Sequence, residues 1–237
     1  MSELLTLVEF TFFSAILLLL FRYAGFVGLC LFSTFSIIIC NIQVLREAQF
    51  CFQPTPVALG TIMCGLSFLT TDIITEHYGI KKAQQSIFLS FIIQTVFVIA
   101  MFLTLSYPPK TDPLFIPMTQ IFTPMPRLFF ASVLTYLMCQ MIDAYLFVYI
   151  KKCFPGKKWL WLRGFGAASI ASFLDTIIFS SLAWYVLASS PCSLNKLIYT
   201  YILGTYIFRV FVIVWSTPLI YLSYLFKPNP QHITMHD

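Results

Sequence analysis

Residues 67–75 read SFLTTDIIT, an apolar stretch in which Asp72 is the single charged residue. Two further stretches repeat the pattern, with Asp143 inside MCQMIDAYLF (138–147) and Asp175 inside ASFLDTIIFSS (171–181). A carboxylate near the centre of a bilayer costs roughly 2.5 to 3.5 kcal/mol on insertion scales. Three such residues predict a function for their charge, and we take them as candidates for a polar substrate site.

Composition places the chain in a membrane. Apolar residues make up 59 % of the 237 residues and charged residues 10 %, which excludes a solvated domain of this size. A helical span needs about 20 apolar residues. Long continuous apolar runs favour a helix bundle over a barrel. We therefore predict an all-α polytopic membrane helix bundle, with candidate spans at about 5–21, 23–45, 56–75, 86–107, 127–150, 160–188 and 196–226.

The chain divides into three parts by composition. Residues 1–22 form an N-terminal apolar segment, either an additional transmembrane helix or a signal-type segment, and residues 227–237 form a polar tail. A six-helix domain is expected over 23–226. Within it, the proline-rich connection 108–126 predicts an extended surface loop.

Orientation follows from the positive residues between the spans. One set of alternate connections carries eight Lys and Arg residues and the other carries four, so the first set should be cytoplasmic, together with the C-terminus. The larger set is Arg22, Lys81, Lys82, Lys151, Lys152, Lys157, Lys158 and Lys227, and the smaller set is Arg46, Lys110, Arg127 and Lys196. We interpret the lysines of 151–158 as topology signals and lipid-headgroup contacts, and predict no nucleic-acid partner.

Several kinds of chemistry are not expected. The seven cysteines include no CxxC pair and the three histidines lack metal-ligand spacing, so neither a metal site nor a thiol enzyme is predicted. There is no Walker motif for ATP hydrolysis, and no other cofactor is indicated. Cys51 and Cys192 would both face the outer compartment, where a disulfide between them is conceivable. We predict that the chain is not an enzyme.

Polar neighbours extend the aspartates into candidate sites. Glu76 lies four residues after Asp72 on the same helix face; it either forms the mouth of a site or is solvated at the cytoplasmic interface. Gln140 lies three residues before Asp143, and either binds substrate or links helices by hydrogen bonds. Ser132 and Tyr136 continue the Gln140 stripe.

Asp175 and Arg209 in the last two spans, and Asn41 in IIICNIQVL (37–45), complete the candidate set. Small residues at Gly164, Ala168 and Ser172 precede Asp175 on one face and permit close helix packing. Arg209 lies inside the last span, where we expect a carboxylate partner. Three aspartates against one arginine leave two negative charges, to be balanced by protons or a cationic substrate.

Together these motifs resemble one known family. The order of TTDIITEHYG (70–79), QMIDAYLFVYIKK (140–152), SFLDTIIF (172–179) and YIFRVF (206–211) is similar to that in the queuosine precursor transporters of the vitamin uptake transporter group. The resemblance covers about 33–226 and carries over Asn41, Thr71, Asp72, Glu76, Gln140, Asp143, Asp175 and Thr176. Arg209 stands where members commonly have Lys, and the first segment is additional to their six-helix core.

The resemblance implies a multi-pass importer in the bacterial inner membrane. Its expected substrates are 7-deazaguanine bases such as preQ0 and preQ1, or queuine, which serve tRNA modification. We predict a secondary carrier, with proton coupling as one means of driving it, in which the aspartates converge with Asn41 and Gln140 on the base. The excess negative charge favours a cationic precursor or queuine. A substrate-binding subunit of an energy-coupling-factor-type transporter and a membrane assembly protein remain alternatives, and the oligomeric state does not follow from the sequence.

Overall fold

The chain is an all-α membrane helix bundle, as predicted. A computed structural model describes residues 2–50, 53–108, 112–122, 125–188 and 191–227, without the side chains of 53–55 and 125–130. Five helical segments within these residues are long and apolar enough to cross a membrane. They are Ser2–Gln43, Ile80–Leu105, Ala131–Cys153, Lys157–Val186 and Leu194–Ser223.

The first helical element, α1 (Ser2–Gln43), is a hairpin containing the first two predicted spans. Gly25 breaks the helix with φ 55° and ψ −129°, a conformation that a residue without a Cβ adopts most easily. The arms then run antiparallel, since Gln43 Nε2 donates to Glu9 Oε1 over 2.8 Å. The N-terminal arm therefore packs back on the second arm and on the bundle.

A β-hairpin follows α1, where the sequence predicted the start of the third span. Strand β1 (Glu47–Phe50) pairs antiparallel with β2 (Gln53–Ala58). Helix α2 covers Thr61–Tyr78, so the predicted start of the third span at residue 56 was wrong. Prolines at the edge of a short strand remove no needed ladder hydrogen bond. Strands of four and six residues also give too short a pattern to distinguish them from a helix end or a loop.

The predicted extended loop over 108–126 was also wrong in part. Helix α3 (Ile80–Leu105) is followed by a short helix α4 (Phe115–Phe122) and then by α5 (Met125–Cys153). Pro117 and Pro126 both lie in the first turn of their helices. The N–H groups of a first turn have no intrahelical partner, so proline is tolerated there.

The C-terminal half contributes two more long helical segments. Helix α6 (Leu160–Ser181) ends in a π-helical turn (Leu182–Val186). A short helix α7 (Leu194–Lys196) and a π-helical segment (Leu197–Gly204) lead into α8 (Thr205–Ser223). Cys192 is half-buried, but Cys51 lies outside the described residues, so the disulfide stays a prediction.

Helix α2 is the centre of the bundle and packs against α1, α3, α5, α6 and α8. It runs parallel to α5, because Ser67 contacts Gln140 and, further along both helices, Glu76 contacts Lys151. It also runs parallel to α8, since Gly65 lies against Val212 and, further along both helices, His77 contacts Ser223. Successive turns of α2 therefore lie at successive depths between the two ends of the bundle.

Most positive residues seen in contact lie at one end of the bundle. Arg22 Nη1 donates to the Leu225 carbonyl over 3.5 Å, and Lys157 Nζ lies 4.3 Å from the Tyr224 ring centroid. Lys151 joins them through Glu76. We call this the basic end of the bundle. The β-hairpin, with Arg46 before it, lies at the opposite end.

Candidate functional site

A small cavity lies between α1, α2, α5, α6 and α8, with a volume of about 40 Å³. Four of the predicted site residues line it: Asn41, Gln140, Asp175 and Arg209. The rest of its wall is Ile37, Cys40, Val44, Cys64, Ser67, Phe68, Ser132, Tyr136 and Phe179. The helices thus bring together residues that lie up to 168 positions apart in the chain, from 41 to 209.

Asp175 and Arg209 form an ion pair in the cavity wall, as expected for an arginine inside a span. Each side chain is 11 % exposed, so both are largely withdrawn from solvent. Arg209 Nε is buried and has no hydrogen-bond partner among the described residues. The pair therefore offers an acceptor and a free donor side by side.

The two amides of the cavity are held by hydroxyl groups. Gln140 Oε1 accepts from Thr71 Oγ1 at 2.7 Å, and its Nε2 donates to Ser67 Oγ at 3.0 Å. Asn41 Oδ1 accepts from Ser132 Oγ at 2.6 Å. Gln140 therefore links α5 to α2, the alternative that the sequence left open, and also lines the cavity. Fixed amides keep their remaining donor hydrogens pointed in one direction.

Aromatic rings complete the cavity wall. Phe68, Tyr136 and Phe179 line it, and Tyr136 OH lies 3.4 Å from Ser33 Oγ. Sequence reasoning placed Tyr136 on the Gln140 stripe but could not choose among 26 Phe and 12 Tyr residues for a stacking role. Phe68 directly follows Ser67 on α2, but its place among the cavity residues is visible only in the structure.

Asp72 and Asp143 do not line this cavity. Asp72 follows Thr71, and Asp143 lies three residues beyond Gln140, which is about 4.5 Å further along α5. Asp72 is 2 % exposed and Asp143 is 0 % exposed, so both are buried. The expectation that all three aspartates converge with Asn41 and Gln140 therefore fails: Asp175 faces the cavity, and the other two lie one level closer to the basic end.

Glu76 lies another turn along α2, in a cluster of charges. Its carboxylate accepts from Lys151 Nζ at 2.8 Å, Arg163 Nη1 at 3.2 Å and Tyr224 OH at 2.7 Å. The Glu76 side chain is 6 % exposed, so the interpretation that it is solvated at the interface was wrong. The cluster therefore joins α2, α5 and α6 to Tyr224, the residue that directly follows α8.

Arg163 is the residue that sequence reasoning missed. It is 2 % exposed, and besides Glu76 it donates to the Phe154 carbonyl at 3.1 Å. It lies in RGFGAAS near the start of the sixth predicted span, and neither set of positive residues between the spans includes it. The sequence did contain a signal for a buried pair, because Arg163 lies inside one predicted span and the acidic Glu76 lies at the end of another.

Comparison with known proteins gives a consistent result. The family described as "Putative vitamin uptake transporter" matches residues 58–223. A protein of Bacillus subtilis (strain 168) named "Probable queuosine precursor transporter" is 30 % identical over 217 residues, covering 91 % of this chain and 92 % of that protein. No solved structure matches the chain.

These matches confirm the resemblance seen in the sequence, and the family match covers four of the five helices that form the cavity. The family match begins in β2 and ends with α8, so it includes α2, α5 and α6. With apolar helices long enough to cross a membrane, the chain is a multi-pass membrane protein. It belongs to the "Putative vitamin uptake transporter" family and has the role of a small-molecule transporter.

Proposed function

We propose that the chain imports a 7-deazaguanine base, a precursor of queuosine or queuine, as a secondary carrier. The observation that carries this proposal is the Asp175–Arg209 pair in the wall of a cavity that also contains two fixed amides and three aromatic rings. The name of the Bacillus subtilis relative supports the same substrate class.

The hydrogen-bonding edge of the base matches the pair. A deazaguanine ring presents two adjacent N–H donors beside a carbonyl acceptor. Asp175 can accept from the donors, while the free Arg209 Nε or an amide N–H donates to the carbonyl. A missing hydrogen bond in a buried site costs about 1 to 3 kcal/mol, which is enough to reject an analogue without the donor pair.

The aromatic rings supply the second element of recognition. A flat heterocycle stacks between rings, and Phe68, Tyr136 and Phe179 stand around the polar groups. The cavity volume of about 40 Å³ is smaller than a bicyclic base. Under the proposed alternating-access mechanism, the base enters when helices separate, and we assign the present packing to a closed state of the carrier.

Charge in the cavity bears on the choice of precursor. Asp175 is balanced by Arg209, and the two excess aspartates lie elsewhere. The excess negative charge therefore gives no reason to favour a cationic precursor at this cavity. We now expect the cavity to select the guanine-like edge of the ring, with little discrimination by the charge of its substituent.

Localisation and orientation are part of the proposal. The contacts of Arg22, Lys151 and Lys157 gather positive residues at one end of the bundle. We assign that end to the cytoplasm of a bacterium, with the C-terminus inside, by the positive-inside rule.

The test is binding and uptake by the full chain. Purified protein in lipid nanodiscs should bind labelled 7-deazaguanine bases, with guanine-like compounds competing and adenine failing to compete. In a bacterium that lacks its own importer and makes no precursor, expression should restore queuosine in tRNA when a precursor is supplied. A protein that reaches the membrane but neither binds nor restores modification with any deazaguanine would refute the substrate assignment.

A further inference from the structure

We propose that Asp72 and Asp143 form a proton-binding site that couples transport to the proton gradient and is separate from the substrate cavity. This inference rests on the proposed function, which it deepens by assigning the energy coupling to two residues. Asp175, paired with Arg209, is then left to the substrate.

Burial without partners is the first observation. Asp72 is 2 % exposed and Asp143 is 0 % exposed. Asp72 Oδ1 and both carboxylate oxygens of Asp143 have no hydrogen-bond partner among the residues that the structure describes. Ionised carboxylates without partners are very costly in a low-dielectric interior, and such groups take up protons instead. A proton is thus the ligand that these unpartnered oxygens require.

Proximity is the second observation. Asp72 directly follows Thr71, whose side chain donates to Gln140, and Asp143 lies about one helical turn beyond Gln140, so the two carboxyl groups occupy nearby positions on adjacent helices. Two neighbouring carboxylates resist simultaneous ionisation, so such a pair releases and takes up protons in separate steps. A site that holds one proton in one state and loses it in another has the property needed for coupling.

The surrounding charges do not neutralise the pair. Glu76, one turn away on α2, is already paired with Lys151 and Arg163. Arg209 is paired with Asp175. The helices packed around the pair carry further titratable groups among the side chains that the structure describes. They are Glu3, Glu9, Arg22, Tyr23, Cys30 and Cys40 of α1, Cys64, His77 and Tyr78 of α2, Lys81 and Lys82 of α3, Tyr136, Cys139, Tyr145, Tyr149, Lys152 and Cys153 of α5, and Tyr206 and Tyr221 of α8.

The pair is mechanically connected to the cavity. Thr71, the neighbour of Asp72, donates to Gln140, which precedes Asp143 by three residues. Helix α6 also approaches closely, because a Cβ on Gly164 would lie 3.4 Å from Asp72 Oδ2. A change of charge at the pair therefore acts on the α2–α5 contact that holds the Gln140 amide. Protonation would stabilise the closed packing seen here, and deprotonation would favour separation of the helices.

The experiment uses the full chain in proteoliposomes with a labelled deazaguanine that the wild type binds. With one proton per base, a pH difference of about one unit should support about tenfold accumulation. We expect Asp143→Asn and Asp72→Asn to keep binding and exchange of external for internal base while losing this accumulation. Asp175→Asn should lose binding itself.

A second measurement does not depend on the substrate. Infrared spectra of the protein in nanodiscs at neutral pH should show the band of a protonated carboxyl group, which Asp143→Asn removes or shifts and the exposed control Asp112→Asn leaves unchanged. Absence of that band in wild type overturns the proposal, as does proton-driven accumulation by both variants or driving by a sodium gradient alone. Failure of wild type to bind any deazaguanine would refute the substrate while the infrared result still decides the proton site.

Discussion

Glu76 and Asp72 are one helical turn apart on α2, and both carboxyl groups are removed from water, yet their surroundings differ completely. Glu76 has Lys151, Arg163 and Tyr224 as partners. Asp72 Oδ1 has none in the part of the chain that the structure describes. Burial alone therefore does not define the role of a membrane carboxylate. The partners define that role. A carboxylate with hydrogen-bond partners holds helices together, and one without partners is available to bind a ligand or a proton.

The satisfied carboxylate should show the largest effect on stability. Glu76→Gln leaves buried Arg163 without its anion, and breaking a buried pair on one side costs about 3 to 5 kcal/mol. We expect a matching loss in the free energy of unfolding, measured by denaturant titration in detergent micelles. The double variant Glu76→Gln with Arg163→Met should recover much of the loss, because it leaves no buried arginine unpaired. Equal stability of Glu76→Gln and wild type would contradict the cluster as described.

The cavity pair should show the largest effect on binding. Asp175→Asn removes the anionic acceptor and leaves Arg209 without its partner, a change that costs about 2 to 5 kcal/mol in a buried, hydrogen-bonded pair. The dissociation constant for a deazaguanine should rise by at least about 30-fold, since 1.4 kcal/mol corresponds to about tenfold. Asp112→Asn, at an exposed position, is the matched control. Unchanged affinity in Asp175→Asn would remove this residue from the site.

A smaller effect on binding is expected at the amide. Gln140→Leu removes the hydrogen bonds with Thr71 and Ser67 and leaves the base short of a partner, a loss of about 1 to 3 kcal/mol. The matched control is Gln94→Leu, a buried amide on α3 that lies outside the cavity wall. Isothermal titration of both variants should show a five- to hundredfold weaker affinity, by order of magnitude, for Gln140→Leu alone. Similar losses in both would indicate a general effect of removing buried amides.

The unpartnered carboxylates should show the smallest effect on stability. Asp72→Asn replaces a protonated acid by a neutral group of the same shape, so the free energy of unfolding should change by less than about 1 kcal/mol at neutral pH. The same denaturant titration applies, with Glu76→Gln in parallel as the contrasting variant. A loss as large as that of Glu76→Gln would show that Asp72 is ionised and paired.

Orientation can be tested by cysteine labelling, which needs no transport measurement. Cys153 is exposed at the basic end and Cys192 is half-buried near the opposite end. In variants that retain one of these cysteines, an impermeant thiol reagent added to intact cells should label Cys192 and leave Cys153 unlabelled. Labelling of Cys153 from outside would invert the proposed orientation.

Much of the architecture was predictable because it depends on local pattern. Apolar runs of about 20 residues identify the spans wherever the chain places them, and a charged residue inside such a run is visible without a structure. Asp175 and Arg209 were found in this way, and Asn41 and Gln140 were found as amides inside such runs. The strands β1 and β2 and helix α4 were missed, since segments of four to eight residues are too short for their pattern to distinguish strand, helix and loop.

The grouping of the polar residues depends on packing, which a single sequence does not specify. The reversal at Gly25, the parallel alignment of α2 with α5 and the approach of α6 at Gly164 determine which side chains meet. These contacts place Asp175 in the cavity wall, Asp143 at a buried level beyond it and Glu76 next to Arg163. Hydrophobicity along the chain determines that a carboxylate is buried, because burial follows from the span it occupies. Its partners come from other helices, so their identity follows only from how the helices pack.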